Sequence, residues 1–200
     1  MKKFLILLLM ALCLSGCSVV RINEDIDTTT SVVLSKENKL FNRIGKGYKY
    51  YVPRGVTYID TDEYNEKLYS KGNYYYLYVD VISYYHKKEI NYKENKDAYY
   101  SKKLEGKNKK GYLEINQVSD DLYFIEFMYN YAKIECLVNK EEINDAVLDA
   151  SYILSTIKFN NKVIKIMLQD DYFVNKEEQY DIFESKKANN YFLEVVEDGK

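Results

Sequence analysis

The stretch YLEINQVSDDLYFIEFMYNYAKIECLVNKEEINDAVLDASYILSTI, residues 112–157, decides the fold. Tyr112 to Val118 and Leu122 to Tyr129 read as two strands joined across Ser119-Asp120-Asp121. Lys133 to Val138 alternates, with Ile134, Cys136 and Val138 on one side and Lys133 and Glu135 on the other. Strands this close in sequence pair antiparallel, because a parallel pair needs a long crossover. Asn139 and Glu142 then form a capping-box pattern. Beyond them Ile143, Val147, Ala150, Leu154 and Ile157 recur at three- and four-residue spacing, a stripe that belongs against a sheet. The expected class is α+β: a meander-like antiparallel sheet with one main amphipathic helix, about 140–158, packed on it, plus short C-terminal elements.

Working outward, Tyr48 to Val52 and Val56 to Ile59 read as a hairpin around the turn signal Pro53-Arg54-Gly55. Asp60 to Ser70, with an acidic start and Gly72 beyond, reads as a short helix. Asn73 to Tyr85 reads as a strand, with Leu77, Val79 and Val81 on one face and Tyr76, Tyr78 and Asp80 on the other. His86 to Asn95 is a lysine-rich loop, Ala98 to Leu104 a strand, and Glu105 to Gly111 a turn. A short helix is expected over Val163 to Leu168, and short elements at Tyr180 to Phe183 and Tyr191 to Val196. No internal repeat is present. The order of strands followed by a long helix ending in Ile153-Leu154-Ser155-Thr156-Ile157 resembles PsbP/Mog1/DcrB-type domains over Tyr48 to Phe159. That resemblance implies a fold and carries no site residues.

The N-terminus has a separate logic. Met1-Lys2-Lys3 is followed by an uncharged apolar run, Phe4 to Leu14, and then by Leu14-Ser15-Gly16-Cys17. A short positive segment and an apolar run of roughly 7–15 residues is the layout of a secretory signal. It falls short of the about 20 residues that a spanning helix needs. The tetrapeptide resembles the lipobox of bacterial lipoproteins, which implies cleavage between Gly16 and Cys17 and covalent lipid on the Cys17 thiol. The expected organisation is a signal peptide over 1–16 and a lipidated, flexible tether over 17–43. An α+β domain follows over 44–160, then a C-terminal extension over 161–200 packed on it. The tether reading rests on the polar, acidic and threonine-rich composition of Ser18 to Asn42.

Composition narrows the function classes. Loss of Lys2 and Lys3 with the signal leaves 27 basic against 31 acidic residues, both signs mixed along the chain. No basic stripe suggests nucleic acid. The mature chain keeps Cys17 and Cys136, so with Cys17 lipidated no internal disulfide is possible and the hydrophobic core must suffice. Tyrosine stands out, at 23 of 200 residues with no tryptophan. Codon bias in an AT-rich genome accounts for that more economically than a binding role does.

Each catalytic pattern lacks a partner. Ser155-Thr156-Ile157-Lys158 matches S-x-x-K but closes a helix, and no K-T-G accompanies it. His86 is the single histidine, and its neighbours Tyr84-Tyr85 and Lys87-Lys88 suggest an exposed end rather than a general base. Asp25/Asp27 and Asp60/Asp62 lack the glycine and closing glutamate of a calcium loop. Cys136 falls on an apolar strand face and reads as a buried thiol. No cofactor or metal is expected apart from the lipid on Cys17. Tyr74, Tyr76, Tyr78 and Tyr84 are expected to share a strand face, where phenol rings suit protein or glycan surfaces. The expected role is a non-enzymatic binding module, lipid-anchored on the extracytoplasmic face of the cell membrane, with an envelope protein or glycan as partner. An envelope hydrolase using Asp60, Asp80 or Glu126, or a structural subunit of an envelope assembly, are the alternatives.

Overall fold

The computed structural model of the chain describes residues 25–62 and 65–169. Helix α1 covers Ile26–Ser35. Strands β1 (Arg43–Gly45), β2 (Tyr48–Tyr50), β3 (Thr57–Asp62), β4 (Asn65–Ser70) and β5 (Asn73–Val79) follow, then α2 (Val81–His86). After a long connection come β6 (Tyr100–Gly106), β7 (Lys109–Gln117), β8 (Leu122–Tyr129) and β9 (Ala132–Asn139). A single 3-10 turn, Lys140–Glu142, leads into α3 (Ile143–Thr156), followed by β10 (Lys158–Phe159) and α4 (Asn161–Gln169).

The main sheet has seven strands in the order β3-β4-β5-β9-β8-β7-β6, every pair antiparallel. It is two meanders whose innermost strands, β5 and β9, join them in the centre. A second sheet, β1-β2-β10, is small. The α+β architecture read from residues 112–157 is the one observed, and the Glu142 carboxylate accepts the Asn139 backbone N–H at 3.4 Å at the head of the main helix.

Helix α3 buries Ile143, Val147, Ala150, Ile153 and Leu154. They meet Tyr75, Leu77, Ile125, Phe127, Ile134 and Cys136 of the sheet in one core cluster. Each fully buried Leu or Ile side chain contributes about 1.5–3 kcal/mol by leaving water. The burial of Cys136 raises its thiol pKa well above the ordinary value, as expected for an inert thiol. The other side of the sheet is covered too. The connection from β5 to β6 must travel from the centre of the sheet to its edge, and it crosses this face. Ile90 is buried there against Tyr112 and Met128, and the Tyr92 ring stacks on Tyr112 at 4.1 Å.

Four expectations are corrected. Pro53-Arg54-Gly55 does not turn a hairpin: β2 pairs with β1 and β10, while β3 pairs with β4, so the chain passes there from one sheet to the other. Asp60 to Ser70 is not a helix but contributes to the β3–β4 pair. Leu68 and Glu66 of β4 turn inward and are buried, and this tertiary burial overrides the helix propensity of Glu, Lys and Leu. The strand from Asn73 ends at Val79, because the Asp80 carboxylate takes the Ser83 backbone N–H at 2.8 Å and starts α2. Finally, residues 26–35 are not a tether. They form α1, which docks on α3 and buries Thr29, Thr30 and Val33. The Thr30 hydroxyl satisfies itself on the Ile26 carbonyl at 2.8 Å, which lets the polar residue go inside. In the first turn of α1, Asp27 accepts from the Tyr100 hydroxyl at 2.5 Å and from the Lys102 ammonium at 2.6 Å. Those bonds, Lys102 first, hold its carboxyl below the ordinary value. The short elements expected at 180–183 and 191–196 lie outside the described residues, whereas α4 matches the expected helix near Val163.

Glu66 joins the two sheets. Its carboxylate accepts the Tyr48 hydroxyl at 2.5 Å and the Tyr50 hydroxyl, all three groups buried. Burial, reinforced by the Glu66 charge, raises both phenols far above their usual range. Glu66→Ala would leave two buried donors unpaired, and each such group costs about 1–3 kcal/mol. Urea unfolding should therefore show a loss of about 2–5 kcal/mol, with Glu66→Gln retaining part of it.

A second test uses Asp149, on α3, whose carboxylate accepts the Ser70 hydroxyl at 3.0 Å. Burial raises its folded-state pKa above the ordinary aspartate value of 3.8. The folded state then binds the proton more tightly than the unfolded chain, so this group's penalty grows as pH rises above the unfolded value and is complete above its folded pKa. Asp149→Asn should raise the melting temperature at neutral pH, and the advantage should vanish below about pH 3.8, where wild type is protonated in both states.

Candidate functional site

A groove of about 1340 Å³ runs along one edge of the molecule. One wall is the C-terminal half of α1 and residues 36–39, contributing Lys36 and Lys39. The facing wall is the β6–β7 hairpin, with Lys102, Lys103, Lys107 and Lys109. Lys158 of β10 also lines the groove, as do Tyr84, Phe159, Tyr129 and Ser155. Only Glu37 and Glu105 among the lining residues are acidic. The groove is therefore strongly cationic in a protein whose formal net charge is −2.

The hairpin wall is placed by its turn and floor. Gly106 lies so close to the Tyr129 hydroxyl that an added Cβ would stand 2.4 Å from it. Asn108 takes the left-handed conformation, φ 64°, that closes the turn. Two lysines are neutralised locally: Lys102 pairs with Asp27, and Lys103 with Glu105 at 3.0 Å. Lys36, Lys39, Lys107, Lys109 and Lys158 have no ion-pair partner among the described residues. Lys109 is half-buried. Its ammonium donates to the Ser155 carbonyl at 3.3 Å and stands 5.8 Å from the centre of the Tyr129 ring. Desolvation, and then repulsion from Lys158, lower its pKa below the ordinary lysine value. Ser155 and Lys158 of the S-x-x-K match thus reappear here in other roles, with the Ser155 hydroxyl bonded to the Tyr152 carbonyl.

The four tyrosines expected on one strand face are not held together. Tyr74, Tyr76 and Tyr78 do share the face of β5 turned away from α3, but only Tyr74 is openly exposed, at 46%. Its ring tilts against Tyr69 at 5.2 Å and lies under the Lys67 ammonium at 4.2 Å. Tyr84 belongs to α2, because the strand stops at Asp80. Its ring stacks on Phe159 at 3.8 Å and borders the groove instead. Gly16 and Cys17 lie outside the described residues.

The carboxylates do not converge on an accessible centre. Strand register puts Asp60, Lys67, Tyr76, Glu135, Glu126 and Glu114 in one cross-strand row. Four strand spacings of about 4.8 Å put Asp60 on the order of 19 Å from Glu126. Asp80 is committed to capping α2. Glu126, Glu135 and Glu114 are neighbours, yet all three are buried beneath the β5–β6 connection. Glu126 accepts the Tyr112 hydroxyl at 2.5 Å. Lys133 places its ammonium 2.7 Å from Glu135 and 3.5 Å from Glu126. Glu114 accepts from the Tyr92 hydroxyl, from Asn95 at 3.2 Å and from Asn116 at 3.0 Å. His86 is exposed at the end of α2, edge-on to Tyr85. Among the described residues no group of three or more His, Cys, Asp and Glu side chains could hold a metal ion, and no helix is long and apolar enough to cross a membrane.

The lysines of the groove escaped the sequence reading. The hairpin concentrates several of them, but Lys36, Lys39 and Lys158 come from distant parts of the chain and only the fold gathers them. Comparison with protein families and with curated protein sequences gives no match to the chain.

The charge row yields a stability test. Removing one member of a buried ion cluster costs about 3–5 kcal/mol, because the remaining charge is left without compensation. Lys133→Met should show a loss of that size in chemical denaturation, while a triple Lys133→Met/Glu126→Gln/Glu135→Gln variant should recover much of it.

Proposed function

We propose that the chain is a bacterial lipoprotein. In this reading a signal peptide is removed before Cys17, lipid is attached to the Cys17 thiol, and a non-enzymatic binding domain is held at the extracytoplasmic face of the cell membrane. The observation that carries it is the ordered run Lys2-Lys3, Phe4 to Leu14 and Leu14-Ser15-Gly16-Cys17 within the first 17 residues. Each lipid methylene buried contributes about 0.8 kcal/mol, and a single acyl chain holds only marginally, so a lipid with two or three chains on Cys17 gives a durable anchor.

The binding part of the proposal draws on the open, cationic groove and on the exposed Tyr69–Tyr74 pair. Both are surfaces that an envelope protein or glycan could reach. The buried state of Glu114, Glu126 and Glu135 supports a non-enzymatic reading over a hydrolytic one, since a substrate would have to displace the β5–β6 connection to meet them.

Labelled palmitate should be incorporated into the wild-type protein and not into Cys17→Ser. The wild type should fractionate with membranes, and Cys17→Ser should retain its uncleaved leader. Absence of label from wild type, or equal labelling of Cys17→Ser, would overturn the proposal.

A further inference from the structure

We infer that the lysine-lined groove between α1 and the β6–β7 hairpin binds a linear phosphate-bearing polymer. This deepens the binding reading by naming a ligand class, and it does not require Cys17 to be lipidated.

Three features carry the inference. The first is an excess of charge over counter-charge. Lys109 and Lys158 repel each other and Lys109 is partly desolvated; Glu37 attracts Lys109 from a distance, but no described carboxylate stands within ion-pair reach of either lysine. A half-buried ammonium that donates to the Ser155 carbonyl, with the Tyr129 ring beside it, is a costly arrangement that an entering anion relieves. Protection of the sheet edge by lysine explains Lys102 and Lys103, which lie on the outer strand β6. It does not explain Lys36 or Lys39, which lie in no strand.

The second feature is shape. About 1340 Å³ exceeds the roughly 300–1,000 Å³ of ordinary small-molecule pockets. Cations line both walls instead of converging on one point, which suits charges repeated along a chain. A bilayer surface cannot enter a groove between two walls.

The third is the choice of cation. Carboxylates are matched best by the planar fork of arginine, whereas lysine acts as a compact point charge, well suited to phosphate. All of the cationic lining residues are lysines. The exposed, long side chains of Lys36, Lys39 and Lys107 tolerate shifts in register along a polymer.

The test is fluorescence anisotropy of labelled linear inorganic polyphosphate with the purified full chain in detergent. Saturable binding is expected, weakening steeply as salt rises from about 50 to about 200 mM. The variant Lys36→Gln/Lys39→Gln/Lys107→Gln removes exposed, unpaired charges from both walls and should bind at least about tenfold more weakly. Lys96→Gln/Lys140→Gln/Lys162→Gln removes the same charge elsewhere and should stay within about twofold. An equal loss in both variants means diffuse attraction and overturns the inference. So does poly-glutamate competing as well as polyphosphate, which would make the groove a site for acidic polypeptide. Binding to anionic phospholipid vesicles that depends on the same three lysines and exceeds binding to polyphosphate would overturn it in favour of membrane docking. Circular dichroism of both variants confirms that they are folded. A chain that binds polyphosphate but fails palmitate labelling keeps this inference and loses the anchor; the reverse result does the opposite.

Discussion

A carboxylate removed from water needs donors close to its oxygens, or the cost of burying it exceeds what the surrounding packing returns. In this protein those donors are repeatedly tyrosine hydroxyls. Tyr48 and Tyr50 meet Glu66, Tyr112 meets Glu126 and Tyr92 meets Glu114, and at the surface Tyr100 meets the half-exposed Asp27 in the same way. Three of these pairings tie together segments from different parts of the fold: the small sheet to the large one, the β5–β6 connection to the sheet, and helix α1 to the outer strand; Tyr112–Glu126 links the neighbouring strands β7 and β8. A phenol does two things at such a position. Its ring adds apolar area to the core, and its hydroxyl supplies a donor at the end of a stiff side chain. The abundance of tyrosine, which codon bias accounts for at the level of composition, therefore has structural employment throughout the interior.

The need for these pairs follows from the topology. Joining two meanders through β5 and β9 places the ends of β5 and β6 in different halves of the sheet. The connecting chain must cross a face, and in crossing it closes that face to solvent. Polar residues that strand alternation would normally leave in water are then interior. Glu114, Glu126, Lys133 and Glu135 occupy this layer, where Lys133 stands beside Glu126 and Glu135 and tyrosine hydroxyls donate to Glu126 and Glu114. The opposite layer, against α3, is conventional in being apolar.

The parts of the fold with strict periodicity were legible. Strands β7, β8 and β9 alternate, α3 carries a stripe at helical spacing, and both signals are local. Helix α1 was missed although Ile26, Thr29, Thr30, Val33 and Leu34 also fall on one helical stripe, because threonine counts as polar until its hydroxyl is seen bonding to its own backbone. The β3–β4 pair was missed because its inward Glu66 looks like a solvent-facing residue, and only the two tyrosines of β2 make it an interior one. The break after Val79 depends on a single capping carboxylate, Asp80, in a run of residues that otherwise all favour strand. The groove was illegible for a different reason: its lysines are assembled from three regions of the chain, and lysine abundance by itself carries no position.

The two outermost strands of the large sheet bear on how this protein behaves when many copies share a surface. An unpaired strand invites a neighbour to add its own and so to grow a fibril. Strand β3 loses its regular register between Tyr58 and Asp60, which interrupts the straight template. On β6 the Glu94 carboxylate already occupies the Lys103 backbone N–H at 3.0 Å, and lysine side chains stand beside it. Both margins are thereby spoiled for sheet-to-sheet polymerisation, so a chain rich in aromatic and β-branched residues can crowd against its own kind without zipping together.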